Sequence, residues 1–205
     1  MNFRKFEIAG AITTGFLKFL MVDVLSLKFV YVVGACLFWI GYIIFRRKSD
    51  PDVFRKWGFS RDYLKQSFVA TGIFALLVFI ALVGFAAWNG SLVWTIHMIP
   101  ILLLYPIWGV IQQFLMMSLI GGNLQAMKKP VWIVVIATAF MFAIVHYPSL
   151  ILVAGTFFLA LFYTRLFMKW PNIWSLGLFH GWLGCFFFYW ILNRDPWLEF
   201  VAMLN

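Results

Sequence analysis

Apolar residues run through this chain in long blocks separated by short polar gaps. Stretches of roughly 8–26, 29–45, 67–87, 95–120, 131–147, 149–167 and 173–192 are each predominantly apolar. A helix needs about 20 such residues to cross a hydrocarbon core. The pattern therefore predicts an all-α, polytopic transmembrane bundle of about seven spans. The first block is the weakest, because Lys18 and Asp23 interrupt it. Snorkelling of Lys18 would accommodate them, as would pairing of the two with each other or with another span. A tilted or interfacial helix is the other reading of that block. Basic residues before it imitate a signal peptide, but no small-residue cleavage site leads into a polar mature segment, so a retained span is expected.

Composition points the same way. Of 205 residues, 64% are hydrophobic and 11% charged, and the mean hydropathy is +0.95. A soluble domain of this length has too little interior for so many apolar side chains. The excess has to face lipid, and the 11 Trp suit the headgroup level where indoles concentrate. Cys36 and Cys185 both sit in apolar runs and suggest neither a disulfide nor a metal site.

A net charge of +9 raises the question of nucleic acid, but the charge follows the predicted topology instead. Arg4 and Lys5, the basic residues of the 46–66 loop, Lys128 and Lys129, and Arg165 and Lys169 all fall on one side of the alternating spans. Only Lys28 and Arg194 fall on the other. Basic residues prefer the cytoplasmic side, so the N-terminus is expected inside, in a cell membrane, most simply a prokaryotic plasma membrane. Membrane lipid is the expected partner and nucleic acid is not. Residues 1–66 read as the first spans plus a basic loop, and 67–205 as the membrane core. Phe54, Trp57, Phe59 and Tyr63 among the loop's basic residues suggest an amphipathic piece on an anionic leaflet. A solvated connection fits equally.

Polar side chains deep in apolar spans mark sites by default. Gln112 and Gln113 stand together in "GVIQQFLMMSLI"; His146 closes the fifth span; His180 lies in "SLGLFHGWLG". Between Asp62 and Asp195 there is no Asp or Glu, so this region offers no carboxylate base and no carboxylate-bridged metal. Two imidazoles are too few for a usual zinc site, and His97 lies about 22 Å from Gln112 along a helix. No metal and no cofactor is expected. Gly177, Gly181 and Gly184 share one helix face and make a groove for a neighbouring helix. Interhelical hydrogen-bond glue is the alternative to a site role for the glutamines, and satisfaction by a neighbouring helix is the alternative for His180.

The order "IQQFLMMSL", then "AFMFAIVHYPSLILVAGTFFLALFYTRLFMKWPNIWSLGLFHGWLG", resembles the CAAX-protease and bacteriocin-processing (CPBP) family of intramembrane proteases. The resemblance covers about residues 100–192. The family's motifs are Glu-Glu-x-x-x-Arg, Phe-x-x-x-His, and His-x-x-x-Asn or Asp. By position, Phe142 and His146 keep the second motif and His180 keeps the first residue of the third. Gln112, Gln113, Met117 and Gly184 replace the two glutamates, the arginine and the Asn or Asp. The resemblance implies Gln112, Gln113, His146 and His180 as the catalytic positions, with the base replaced by an amide. Losing the arginine together with both glutamates is self-consistent, because a buried Arg without a counter-charge is costly.

Three functions are weighed. A non-hydrolytic pseudoprotease would use its inherited cavity to bind a prenylated or helical peptide, a lipid or a membrane-protein partner. An endopeptidase of CAAX or bacteriocin-immunity type would use His146 or His180 as base, since losing one positioned base costs about 10²–10⁴-fold. A transporter is disfavoured by the missing charges and inverted repeats.

Overall fold

The computed structural model describes residues 3–202; their regular structure is helical, and no strand occurs among them. In chain order the helices are α1 (Phe3–Lys18), α2 (Lys28–Ser49), α3 (Val53–Lys56), α4 (Leu64–Trp88), α5 (Met98–Gln113), α6 (Asn123–Ala126), α7 (Val131–Ile144), α8 (Leu150–Lys169), α9 (Ile173–Trp190) and α10 (Pro196–Val201). Two wider π-helical segments, Phe19–Val24 and Phe114–Gly122, extend α1 and bridge α5 to α6. The protein is therefore an all-α helical bundle.

Among the described residues, four helices are long and apolar enough to cross a membrane: Lys28–Ser49, Leu64–Trp88, the continuous run Met98–Ala126, and Leu150–Lys169. Three expected blocks are helical but outside that group. Lys18 and Asp23 interrupt the first, while His180 and three glycines dilute α9. The third, α7, stops at Ile144, short of Pro148, whose ring disfavours helical backbone before it. The interruption in the first block has a simple resolution. Lys18 Nζ lies 2.7 Å from Asp23 Oδ2, a five-residue spacing that the i→i+5 geometry of a π turn suits.

The chain forms two compact units. One comprises the residues up to Asp62 with Phe114–Pro171, the other Tyr63–Gln113 with the residues from Asn172 onward.

In the first unit, Trp39, Tyr42, Trp57 and Phe114 are buried together, with the Trp57 and Phe114 rings 5.1 Å apart. Ser118 Oγ donates to the Trp57 carbonyl at 2.6 Å. The basic loop thus plants Trp57 in protein, while its Arg55, Lys56 and Arg61 remain exposed. Helices α7 and α8 pack together, and Ala139, Phe142, Ala143, Ala160 and Tyr163 on them are buried. Small residues such as these alanines favour helix association where lipid removes the hydrophobic drive between helices.

In the second unit, α9 packs against both α4 and α5. Asn172 caps α9 by accepting the Ser175 N–H at 3.1 Å, which satisfies one of the orphan donors at a helix start. The Ser67 and Ser175 hydroxyls meet at 2.5 Å, and the Phe68 ring lies tilted against Phe179 with centroids 5.0 Å apart. The 89–97 connection is tied to the end of α9: Trp190 Nε1 donates to the Val93 carbonyl and Ser91 Oγ to the Trp190 carbonyl, each at 2.7 Å.

Candidate functional site

Glycines bring α5 and α9 together. A Cβ on Gly109 would meet the carbonyl oxygen of Gly177. One on Gly177 would lie 2.6 Å from the Val110 nitrogen, and one on Gly181 2.5 Å from the Tyr105 carbonyl. These contacts are backbone on backbone and cannot yield by moving a side chain. Gly184, expected in the same groove, takes no part: a Cβ there would stand 3.6 Å from the Tyr105 ring, an ordinary contact. Gly109 was not singled out from sequence, because only the facing helix reveals its use.

Pro106 lies inside α5, where it lacks the N–H that would bond the Leu102 carbonyl. Trp182 Nε1 on α9 donates to that carbonyl at 3.2 Å. The missing backbone donor is thus replaced from the neighbouring helix, which also fixes the register of the pair.

That register places Gln112 opposite His180. The separation between His180 Nε2 and Gln112 Oε1 is 2.8 Å. An amide oxygen only accepts, so Nε2–H donates. His180 is 9% exposed and Gln112 half-buried. Gln113, the last residue of α5, is fully buried, and neither atom of its amide has a hydrogen-bond partner among the described residues. A neutral amide left unpaired costs about 1–3 kcal/mol. The backbone widens to π geometry immediately after it, at Phe114, a form found disproportionately at functional sites.

His146 belongs to the other unit, in the turn after α7. Its Nδ1 lies 2.8 Å from the Phe142 carbonyl, so Nδ1 is the donor and Nε2 holds the lone pair. The Phe142 ring stands edge-on to the imidazole, 5.1 Å between centroids. The two residues of the intact motif therefore hold each other. Met117, at the position of the family's arginine, is fully buried, with the Thr164 hydroxyl 3.5 Å from its sulfur. His97, in the second unit, bonds Asp195 at 2.7 Å.

One buried polar cluster escaped the sequence reading. Glu7 Oε1 accepts from the Tyr42 hydroxyl at 2.8 Å and from Arg46 Nε at 3.1 Å, and Oε2 accepts from Asn123 Nδ2 at 2.6 Å. Glu7 is 2% exposed. The available signal was an acid four residues ahead of Ala11 on a helix face, beside a block ending in Arg46. Nothing local pairs the two.

Apolar helices long enough to cross a membrane and a part-buried Gln112–His180 pair suit a membrane-embedded protein. Residues 96–186 match a family model described as Type II CAAX prenyl endopeptidase Rce1-like, a similarity that supports the CPBP resemblance and, with the apolar helices, a CAAX-protease-like membrane protein. No curated protein and no solved structure matches the chain.

Proposed function

We propose that this protein is a non-hydrolytic member of its family, which binds a peptide, lipid or partner subunit through its polar intramembrane residues without cleaving it. The observation that carries this reading is the Gln112–His180 hydrogen bond of 2.8 Å. A glutamate at position 112 would accept the same bond and also draw a proton onto the imidazole. The amide orients the ring but takes no proton. Residues 63–194 contain no carboxylate to replace that base. The unpartnered amide of Gln113 offers two donors and an acceptor, which suits a carbonyl or another neutral polar group better than an ion. The protein is read as a seven-span membrane protein with a cytoplasmic N-terminus, on the asymmetry of its basic residues.

The test uses purified protein in lipid nanodiscs with a prenylated CAAX-type peptide carrying a fluorophore and quencher. Cleavage is expected to equal that of the His146→Ala, His180→Ala double variant. Peptide binding is expected to weaken on changing Gln112→Leu with Gln113→Leu. Robust cleavage by the unaltered protein, lost on changing His146 alone, would overturn the reading and make imidazole the base.

A further inference from the structure

At the end of α8 the first unit has an open cavity of about 440 Å³, lined by Gln125, Phe162, Arg165, Leu166, Met168 and Lys169. Arg165 and Lys169 are four residues apart, so both project over one face of the helix, and both are exposed. Gln125 supplies an amide on the opposite wall, steadied by its Nε2 donating to the Met168 carbonyl at 3.3 Å. Phe162, Leu166 and Met168 make the rest of the wall apolar.

Among the described residues neither Arg165 nor Lys169 lies within salt-bridge distance of a carboxylate. Six of the seven acidic side chains are held by other basic groups: Glu7 by Arg46, Asp23 by Lys18, Asp50 by Lys56, Asp62 by Arg55, Asp195 by His97 and Glu199 by Arg194. The seventh, Asp52, forms no salt bridge among the described residues. Lys169 is also positioned, with Nζ 4.3 Å above the Trp170 ring. That pairing of lysine and tryptophan at the end of an apolar helix marks headgroup level.

We propose that this cavity binds the phosphate of an anionic lipid headgroup, with Arg165 and Lys169 on the phosphate oxygens, Gln125 at its edge and the apolar wall beside the lipid's acyl chain. Arg offers a planar fork to phosphate oxygens and Lys a point charge. Basic pockets between membrane helices take anionic headgroups in this way. A free phosphate shares the headgroup's chemistry but makes no use of Phe162 and Leu166. The proposal does not depend on whether the protein hydrolyses peptides.

Native mass spectrometry of the full chain, reconstituted with phosphatidylglycerol or phosphatidylcholine, tests it. The unaltered protein should retain phosphatidylglycerol selectively. Arg165→Gln with Lys169→Gln should lower that retention by about thirtyfold, on the usual worth of two basic side chains at an anionic surface. Arg165→Lys with Lys169→Arg should keep it. Lys128→Gln with Lys129→Gln, which removes equal charge nearby in sequence, should change it far less. Displacement of the lipid by inorganic phosphate as effectively as by soluble glycerophosphate lipid would assign the site to free phosphate. Equal loss in the two glutamine double variants, or equal retention of phosphatidylcholine, would overturn the proposal.

Discussion

The two compact units each bury a polar cluster, and they do so by opposite means. In the first unit Glu7 is an ionisable acid whose three contacts, Tyr42, Arg46 and Asn123, use both its oxygens. In the second, Gln112 and His180 are a neutral pair, followed by an amide, Gln113, with no partner among the described residues. A buried charge without its partner costs far more than a buried amide without one. The first cluster is therefore complete because it has to be, and it works as a clasp between α1, α2 and α6. The second can leave hydrogen-bonding capacity unused, and on the proposed function that capacity is what a ligand would meet.

The comparison breaks most visibly at Glu7. Glu7→Ala should destabilise the protein by about 3 kcal/mol, because buried Arg46 loses its closest counter-charge and keeps only Asp50, 4.0 Å away. Thermal unfolding in detergent measures this, and Glu7→Leu with Arg46→Met together should recover much of the loss. If the single variant is no less stable than the pair, the clasp is not a charge clasp.

Next in size is the glycine contact that holds the neutral pair. Gly177→Ala drives a methyl into the Val110 backbone, and overpacking of this kind costs about 1–3 kcal/mol. The same change at Gly184, where a Cβ fits, should be near neutral. Unfolding midpoints of the two alanine variants, compared side by side, decide it.

A smaller effect is expected from the neutral pair itself. Gln112→Leu removes one interhelical hydrogen bond, worth about 0.6–2 kcal/mol in membranes. Gln112→Glu should lower stability at neutral pH less than Gln112→Leu does, since it keeps the acceptor.

The smallest effect lies at Asp195, outside the apolar spans. Burial pushes its carboxyl up, but bonds from His97, from Tyr189 and from the Leu198 backbone outweigh this and hold it below the usual carboxylate range. A depressed folded value means the group stabilises the fold above its unfolded value, about 3.9. That contribution is lost as pH falls below this range and through the folded value. Asp195→Asn should flatten the acid limb of a stability-against-pH curve and leave the neutral region with a small uniform loss. An unchanged acid limb would remove Asp195 from the account.

Block-wise hydropathy made the helices legible, and the depth of a few polar residues made Gln112, Gln113, His146 and His180 legible as candidates. Both are local properties, since a span is defined by its own apolar run and an amide in hydrocarbon is conspicuous wherever its partner stands. Glu7 was not legible, because it pairs with Arg46 and with Asn123, 116 positions away, and no local pattern encodes such a meeting. Gly109 looked like any glycine until α9 stood against it. Trp57 read as a surface aromatic until Tyr42, Phe54 and Phe114 surrounded it. What the sequence determined by itself was which segments must leave water, for that is a sum over each segment's own side chains. Which polar groups satisfy one another, and which remain open, only the tertiary structure decided, because hydrogen bonds and ion pairs act over a few ångströms between residues the chain brings together from far apart.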